Sequence, residues 1–283
     1  MSIDRGGPTR PDLGIETPAL LGDREFELAR RLIAEWAGIK LSPHKRYMVH
    51  NRLLRRLRER GAGSFAEYMD TVQSEADERE AFINALTTNL TSFFREPHHF
   101  ELLRVRAQQH RERERRPLRI WSAACSTGEE AWSIAMTLRE AGCPGDVLAT
   151  DIDTNVLEKG DAGVYPAERT DALPPERLRA HFLRGTGENE GWVNIRPELR
   201  GIVKFRQLNL QAQPWPAMDA FDVIFCRNVA IYFDREAQRL LLARFAQLLR
   251  PGGLLAVGHA ESFPAANRAF RACGRTAYEY VPA

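Results

Sequence analysis

The stretch LRIWSAACSTGEEAWSIAM (118–136), followed by VLATDID (147–153), predicts the fold of most of this chain. LRIWSAA is short, apolar and bounded by Ser, Thr and Gly, which is typical of a buried parallel strand. STGEE then indicates the start of a helix, with Ser126 or Thr127 as its N-cap and Gly128 where the backbone passes close to another group. A second apolar strand follows, so this order predicts a βαβ unit of the nucleotide-binding type.

The end of the second strand indicates which ligand this unit binds. Asp151 lies 23 residues after Gly128, about where such units place a carboxylate on ribose hydroxyls. The G-x-G-x-x-G that cradles a pyrophosphate is missing, so the pattern favours an adenosine without phosphates, S-adenosylmethionine. Glu129, in the first helical turn, is either favoured there by the helix dipole or contacts the ammonium of the cofactor.

Composition places the chain among ordinary globular proteins. Its 283 residues, 43% hydrophobic and 28% charged with a net charge of +2, predict one medium domain and a smaller one. The four cysteines are scattered without C-x-x-C, so we expect reduced thiols. No apolar run reaches membrane-spanning length and no signal peptide is recognisable, so we expect a cytoplasmic protein that does not insert into a membrane.

Periodicity divides the chain into four parts. Residues 1–22 lack periodicity and are expected to form a disordered leader. In 23–103, apolar residues recur three and four apart, which predicts an all-α N-terminal domain. The charged residues 104–117 are expected to be a helix end running into a linker. In 118–283, alternating strand and helix patterns predict a doubly wound, mainly parallel sheet, and Gly-rich turns near 181–207 indicate a small antiparallel β insert. The expected strands lie near 118–124, 146–151, 203–208, 221–226 and 253–258, and the expected helices near 129–141, 153–160 and 235–249.

Turn residues in the helical part predict helix boundaries. Gly38 and Gly61 are expected to end the first two helices, and Ser64 to cap the third.

The second predicted helix is strongly basic, with Glu59 as its one acid. Four basic residues share one face of it: Arg52, Arg55, Arg56 and Arg60. This arginine face is either a solvated amphipathic surface or a docking site for an acidic partner, and both interpretations stay open.

Two further segments bring polar residues towards the predicted cofactor site. The strand in FDVIFCRNVAIYFD (221–234) ends where open α/β sheets bind ligands, so Asn228 and Tyr232 are expected to face the cofactor. A core tyrosine with a bonded hydroxyl is the alternative.

The segment TTNLTSFFREPHHF (87–100) carries Asn89, Thr91 and Arg95 close to the domain junction. A plain helix end is the alternative there, with Pro97 starting the next helix. The adjacent pair His98–His99 does not share a helix face, so no metal site is expected.

Five motifs, TTNLTSFFRE, WSAACSTGEE, ATDID, LNL (208–210) and FCRNVAIYFD, closely resemble in order and spacing the chemotaxis receptor glutamate methyltransferases, the CheR family. The resemblance covers about residues 23–281. It implies a class I S-adenosylmethionine-dependent methyltransferase fold with a helical N-terminal domain. It also implies methyl transfer to glutamate side chains on the cytoplasmic helices of chemoreceptors, with S-adenosylhomocysteine as product. Such a protein is a protein-glutamate O-methyltransferase that serves adaptation in chemotaxis-type signalling. We expect this chain to be a monomer.

The resemblance also implies roles for individual residues. Arg95 and Tyr232 match the pair considered important for activity. The arginine face matches the receptor-recognition helix, and GTGENEG (185–191) matches the glycine-rich turn through which some members bind a receptor's C-terminal tail peptide. The implied cofactor-binding residues are Asn89, Thr91, Arg95, Glu129, Asp151, Asn209, Leu210, Arg227 and Asn228.

A few positions depart from the family pattern. AWS (131–133) stands where PYS is expected, Ala230 replaces a common Met or Leu, and GHAES (258–262) replaces GHSES. None of these changes removes a charged site residue, so activity is not put in doubt.

Two other functional classes share some of these sequence features. A nucleic-acid methyltransferase would use the basic helix for phosphates, but the N-P-P-Y signature of nucleobase amine methylation is missing, so no nucleic-acid partner is expected. A binding module that senses S-adenosylmethionine without turnover is disfavoured by the intact Arg95, Asp151, Asn228 and Tyr232.

Overall fold

The computed structural model describes residues 20–262 and 267–282, which form a helical part followed by a sheet. Gly38 and Gly61 end the first two helices with φ values of 69° and 67°, and the Ser64 hydroxyl accepts a hydrogen bond from the backbone N–H of Glu67. These contacts confirm the predicted boundaries. The helices of this part are α1 (Asp23–Ala37), α2 (Arg46–Arg60), α3 (Phe65–Ser74) and α4 (Ala76–Leu86).

The helical part has its own apolar core because each helix turns one apolar stripe inward. Ile33 of α1, Leu53 of α2 and Val72 of α3 are fully buried together. Trp36 packs edge to face on Phe82 of α4, with ring centroids 5.9 Å apart. The periodicity of residues three and four apart therefore predicted this packing correctly.

The remaining elements alternate between strand and helix. The helices are α5 (His98–Arg113), α6 (Glu129–Glu140), α7 (Thr154–Ala162), α8 (Pro175–His181), α9 (Pro197–Arg200) and α10 (Arg235–Leu248). The strands are β1 (Leu118–Ala123), β2 (Gly145–Asp151), β3 (Val164–Pro166), β4 (Phe182–Arg184), β5 (Trp192–Ile195), β6 (Val203–Gln207), β7 (Phe221–Cys226), β8 (Leu249–Val257), β9 (Phe270–Gly274) and β10 (Ala277–Tyr280).

The main sheet has seven strands in the order β6-β2-β1-β7-β8-β10-β9. The first five strands run parallel, which confirms the predicted doubly wound, mainly parallel sheet. The antiparallel strands β10 and β9 complete it, and the sequence patterns did not predict them. Strand β8 also begins earlier than the predicted 253, at Leu249.

A small antiparallel sheet of order β3-β5-β4 confirms the predicted β insert, but its bounds differ from 181–207. Residues 164–166 join it as β3. Residues 203–207 lie outside it and pair with β2 in the main sheet. The difference arises because strand partners come from pairings distant in sequence, which a local pattern does not reveal.

The segment 104–117 is mostly not a linker. Residues 104–113 continue α5, where Leu103 and Ala107 lie four apart and are buried in the core of the sheet region. This apolar pair makes the helix part of the layer that covers the sheet, although five of the other nine residues in 104–113 are charged.

The start of α6 also differs from the prediction. Gly128, with φ 90°, is the N-cap residue and no side chain caps the helix, so a cap by Ser126 or Thr127 is wrong. The predicted close approach is confirmed, because a Cβ on Gly128 would lie 2.8 Å from the Cα of Gly160 in α7. Only glycine combines this backbone angle with that contact.

Two predictions concern the ends of the chain and membranes. The expected leader, 1–22, lies outside the described residues as far as residue 19, and Leu21 is buried against the helical core. Within residues 20–262 and 267–282, no helix has both the length and the apolarity that a bilayer crossing requires.

Candidate functional site

A cleft of about 880 Å³ lies at the carboxyl ends of β1, β2 and β7, where the helical part meets the sheet. This is the edge at which open α/β sheets bind ligands, and the volume is typical of a small-molecule site. Every residue of the predicted cofactor set except Glu129 lines the cleft, and so does Tyr232. The structure thus brings together residues that the sequence distributes from Asn89 to Tyr232.

Asp151 is the buried acid of this cleft. Its Oδ2 accepts a hydrogen bond from the backbone N–H of Ser126 at 2.8 Å, and its Oδ1 accepts one from Asp153 at 3.1 Å. Burial nevertheless raises the pKa of Asp151 to about 6. A carboxylate has about four acceptor positions, so two remain for hydroxyl donors such as those of a ribose.

The loops that border the cleft hold unusual backbone conformations. Five non-glycine residues there have positive φ: Phe94 (52°), Glu96 (57°), Ala124 (66°), Ser126 (51°) and Asn228 (60°). Such conformations cost about 1–3 kcal/mol each and persist where surrounding contacts impose them, often at functional sites. Their concentration in three loops around one cleft supports a functional role for it.

Contacts on two sides of the cleft join the helical part to the sheet. The Thr87 hydroxyl and the Asn89 side-chain amide both donate to Oδ2 of Asp153, at 2.6 and 2.8 Å. Elsewhere, the Asn209 side-chain amide donates to the backbone carbonyl of Trp36 at 2.6 Å. Residues of both parts therefore form one continuous wall.

Glu129 lies behind this wall and is fully buried. Its carboxylate accepts a hydrogen bond from the Thr127 hydroxyl at 2.6 Å and is paired with Arg169. Arg169 also donates to the backbone carbonyl of Thr91 at 3.1 Å. Glu129 thus links the start of α6 to the loop of Thr91, and its predicted contact with the cofactor's ammonium stays a prediction.

A second buried acid, Glu130, organises the neighbouring wall. It accepts hydrogen bonds from the Ser122 hydroxyl at 2.7 Å and from Nη1 of Arg227 at 2.9 Å. Burial raises the pKa of Glu130, while Arg227 opposes this shift. Nη2 of Arg227 donates to the backbone carbonyl of Arg95, so Arg227 connects the end of β7 to the Arg95 loop.

Arg95 and Tyr232, the predicted activity pair, both line the cleft. The Arg95 guanidinium donates to the carbonyl of Leu90 at 2.8 Å, which holds its position. The Tyr232 carbonyl accepts the backbone N–H of Lys40 at 3.2 Å, and Lys45 Nζ lies 5.5 Å from the centre of the Tyr232 ring. A cationic group and a phenol therefore share the cleft.

Glu96, His98 and His99 have possible ligand atoms within 4.8 Å of one another. Arg227 Nη2 already lies 3.6 Å from Glu96 Oε2, and the Thr276 hydroxyl lies 2.9 Å from His99 Nε2. Burial lowers the pKa of His99 to about 4. The nearby guanidinium opposes a second cation, and the absence of a metal stays a prediction.

The arginine face differs from the expectation of a free basic surface. Arg56 forms a bidentate pair with Glu78, at 3.1 and 2.7 Å, and Glu78 is only 2% exposed. Arg60 pairs with Glu75, and Arg52 donates to the backbone carbonyls of Ala85 and Thr87 at the end of α4. The helix alone did not reveal these partners because they come from later segments.

One of the four arginines remains available at the surface. The Arg55 side chain is 77% exposed and lies 3.4 Å from Glu59. Tyr47, Asn51 and Arg58 are also exposed and follow the spacing of the same helical face. The accessible face of α2 is therefore centred on Tyr47, Asn51, Arg55 and Arg58.

Sequence reasoning missed three buried acids at the site, Glu130, Asp153 and Glu261. Asp153 and Glu261 closely follow predicted apolar strands, and Glu130 lies in the first turn of the helix after such a strand. Because acids are rarely fully buried without partners, an acid in such a position is itself a signal of a structured polar site.

Comparison with known proteins agrees with this geometry. Residues 24–87 match the model of the CheR methyltransferase all-alpha domain, and residues 89–279 match that of the CheR methyltransferase SAM binding domain. The chain is 49% identical over 264 residues to a chemotaxis protein methyltransferase of Escherichia coli (strain K12), covering 91% of each chain. It is 48% identical over 258 residues to chemotaxis protein methyltransferase 2 of Pseudomonas aeruginosa, covering 90% of this chain and 92% of the relative.

Proposed function

This chain belongs to the CheR methyltransferase family, and we propose that it transfers methyl groups from S-adenosylmethionine to glutamate carboxylates of chemoreceptors. The domain that the family model matches is a SAM binding domain, so S-adenosylmethionine is the cofactor. The observation that supports the proposal best is the cleft, which combines the buried Asp151 with Arg95 and Tyr232.

The residues of the cleft fit the adenosine of this cofactor. Asp151 retains acceptor positions for ribose hydroxyls, and the loop after β1 has no phosphate-binding glycine pattern. We assign further cofactor contacts to the predicted residues that line the same cleft, Asn89, Thr91, Asn209, Leu210 and Asn228.

The reaction requires orientation more than acid–base catalysis. A glutamate side chain has a reference pKa of about 4.3, so it is already an ionised nucleophile at neutral pH. S-adenosylmethionine supplies a methyl group on a cationic sulfur, which leaves as a neutral thioether when a carboxylate oxygen takes the methyl. The protein therefore has to align the two groups and exclude water, and alignment can supply roughly 7–11 kcal/mol.

We assign this alignment to Arg95 and Tyr232. Leu90 holds the Arg95 guanidinium at one nitrogen, so other N–H groups remain to orient an anionic substrate. If the Arg95 guanidinium paired too tightly with the substrate carboxylate, it would weaken this nucleophile. Arg95 would in that case bind the cofactor or support the fold instead. Tyr232 would close the site with its ring and hydroxyl.

The receptor is expected to dock on α2. A methylation helix carries glutamates, and Arg55 and Arg58 lie on the accessible face with Tyr47. We place the docking site on this accessible face and not on the arginine face, because Arg52, Arg56 and Arg60 already bind groups within the protein.

A receptor tail would use the small sheet. An extended peptide could add to the edge of β4, beside the 185–191 turn, through main-chain hydrogen bonds.

The test is transfer of radiolabelled methyl from S-adenosylmethionine to cytoplasmic fragments of the host's receptors, followed by mild base. Label that is incorporated and then released by base, as from a methyl ester, supports the proposal. Fragments with glutamine in place of the methylated glutamates are the matched control and should stay unlabelled. Base-stable label, or no label although S-adenosylhomocysteine binds, would contradict the proposed substrate.

A further inference from the structure

Glu261, in the loop after β8, is a buried acid whose carboxylate accepts hydrogen bonds from four backbone N–H groups. It is only 5% exposed. Its Oε2 accepts hydrogen bonds from Gly258 at 2.7 Å and Asn228 at 2.8 Å, and its Oε1 accepts them from Val229 at 3.0 Å and Ile231 at 3.3 Å. Three of these four donors belong to the loop that follows β7.

The backbone of that loop is shaped around the carboxylate. Asn228 has φ 60°, a conformation that non-glycine residues rarely adopt. With this turn, the N–H groups of Asn228, Val229 and Ile231 converge on one point, as in the concave backbone sites that bind anions. Glu261 supplies the anion from within the chain.

The two loops are also in close contact. A Cβ on Gly258 would lie 2.3 Å from Nδ2 of Asn228 and 2.8 Å from its backbone nitrogen. Glycine at 258 therefore lets the end of β8 approach the loop after β7, so that Glu261 reaches its donors.

The loop that Glu261 holds forms part of the cleft. Asn228, Val229 and Tyr232 line the cleft, whereas Glu261 does not. Leaving a buried backbone N–H without an acceptor costs about 1–3 kcal/mol, so without the carboxylate the loop would rearrange to satisfy its donors. That rearrangement would displace Asn228 and Tyr232.

We propose that Glu261 is a positioning residue, whose carboxylate fixes the 228–232 loop and thereby the Asn228 amide and the Tyr232 ring. This inference rests on the proposed binding of the cofactor in the cleft. Its primary readout is the affinity for S-adenosylhomocysteine, which is measured without any receptor.

The first test is Glu261→Gln, followed by calorimetric titration with S-adenosylhomocysteine. The amide keeps one acceptor but directs an NH₂ group at N–H donors, so at least one charge-assisted hydrogen bond is lost. We expect the Kd to rise about tenfold. Glu279→Gln is the matched control. Glu279, on β10, pairs with Arg106 of α5 and Arg271 of β9, so this variant should leave the Kd unchanged. An unchanged Kd in folded Glu261→Gln would overturn the proposal.

A double-mutant cycle separates positioning from a general loss of stability. If Glu261 acts through Asn228, then Glu261→Gln adds little to the loss of affinity caused by Asn228→Ala. Independent losses that add fully would overturn the proposal.

A second variant applies if Glu261→Gln does not fold. Glu261→Asp keeps the charge but is one methylene shorter, so it cannot reach both sets of donors. It should fold and bind S-adenosylhomocysteine more weakly, and binding equal to the parent would overturn the proposal. In the parent protein, by contrast, S-adenosylhomocysteine binding without receptor methylation would contradict the proposed substrate and leave the role of Glu261 standing.

Discussion

Asp151 illustrates how burial changes the chemistry of a single side chain. Its pKa is raised to about 6, so its protonated form appears at a higher pH than for an exposed aspartate. The ionised form is the acceptor for ribose hydroxyls. The affinity for S-adenosylhomocysteine should therefore be constant above pH 7 and fall by up to about tenfold per unit below pH 6. Calorimetric titrations between pH 5.5 and 8 measure this dependence.

The matched control for this pH dependence is Asp151→Asn. It should bind weakly at every pH and lose the break near pH 6, because its amide does not titrate. An affinity of the parent protein that stays flat from pH 8 to pH 5.5 would contradict the assignment of Asp151 to the ribose.

Arg95 is the residue whose contribution to turnover can be separated most directly. Arg95→Ala removes a charged donor, and hydrogen bonds to charged groups contribute about 1.5–3 kcal/mol, so receptor methylation should slow about ten- to hundredfold. The affinity for S-adenosylhomocysteine should change less. Arg104→Ala, which removes an exposed arginine paired with Glu101 on α5, is the control for loss of charge. Near-normal turnover of Arg95→Ala would exclude a catalytic role.

Helix α2 shows that one element can contain two kinds of arginine. Arg56→Ala would leave the buried Glu78 without its bidentate partner, with Arg60 Nε at 3.4 Å as its remaining cation, so the cost should lie at or below about 3 kcal/mol, the lower end for breaking a buried pair. Arg55→Ala should change the free energy of unfolding by less than about 0.5 kcal/mol, because its side chain is exposed. Urea denaturation of the two variants measures this difference.

Arg55→Ala also tests where the receptor docks. Arg55→Ala should raise the KM for receptor fragments and leave the affinity for S-adenosylhomocysteine unchanged. A KM equal to that of the parent would argue against docking on this face of α2. In the urea denaturation experiment, an equal free energy of unfolding for Arg56→Ala and the parent would show that the pair with Glu78 does not stabilise the fold.

The elements that the sequence predicted well are those with local signals. The unit from β1 to β2 combines apolar strands with a turn glycine, Gly128, and all of these are visible within 34 residues, 118–151. Strands β9 and β10 were missed because FRACG and AYEY are short and weakly apolar. The pairing of β10 with β8 and of β9 with β10 supplies their stability. The first strand of the β insert, β3, was also missed, because it has only three residues.

The site was predictable in its lining residues and not in the contacts that support them. Asn89, Asp151 and Asn228 sit at strand ends or beside turns, so their position follows from topology. The pairing of Arg56 with Glu78 and of Glu261 with the 228–231 loop joins residues that are far apart in sequence. Such partners are chosen by packing, which a single sequence does not display.

In the whole molecule, the cleft depends on the junction between the helical part and the sheet. Asp153 is central to it, because Oδ2 accepts from Thr87 and Asn89 while Oδ1 accepts the N–H of Asn155 and caps α7. A ligand that contacts both walls should tighten this junction. At 100 times its Kd, S-adenosylhomocysteine should stabilise the protein by about 2.7 kcal/mol.

Asp153→Asn should separate the two roles of Asp153, the capping of α7 and the contact between the helical part and the sheet. Its remaining oxygen can still cap α7, while its NH₂ group faces the donors from the helical part. In the parent, S-adenosylhomocysteine should slow hydrogen exchange in 87–91 and 124–126 alike, since both segments line the cleft. In the variant, protection of 87–91 should weaken more than that of 124–126. Glu80→Gln is the control, because Glu80 contacts Thr154 across the same junction at the exposed surface and should change little. Equal protection of 87–91 in the variant and the parent would mean that the junction does not depend on Asp153.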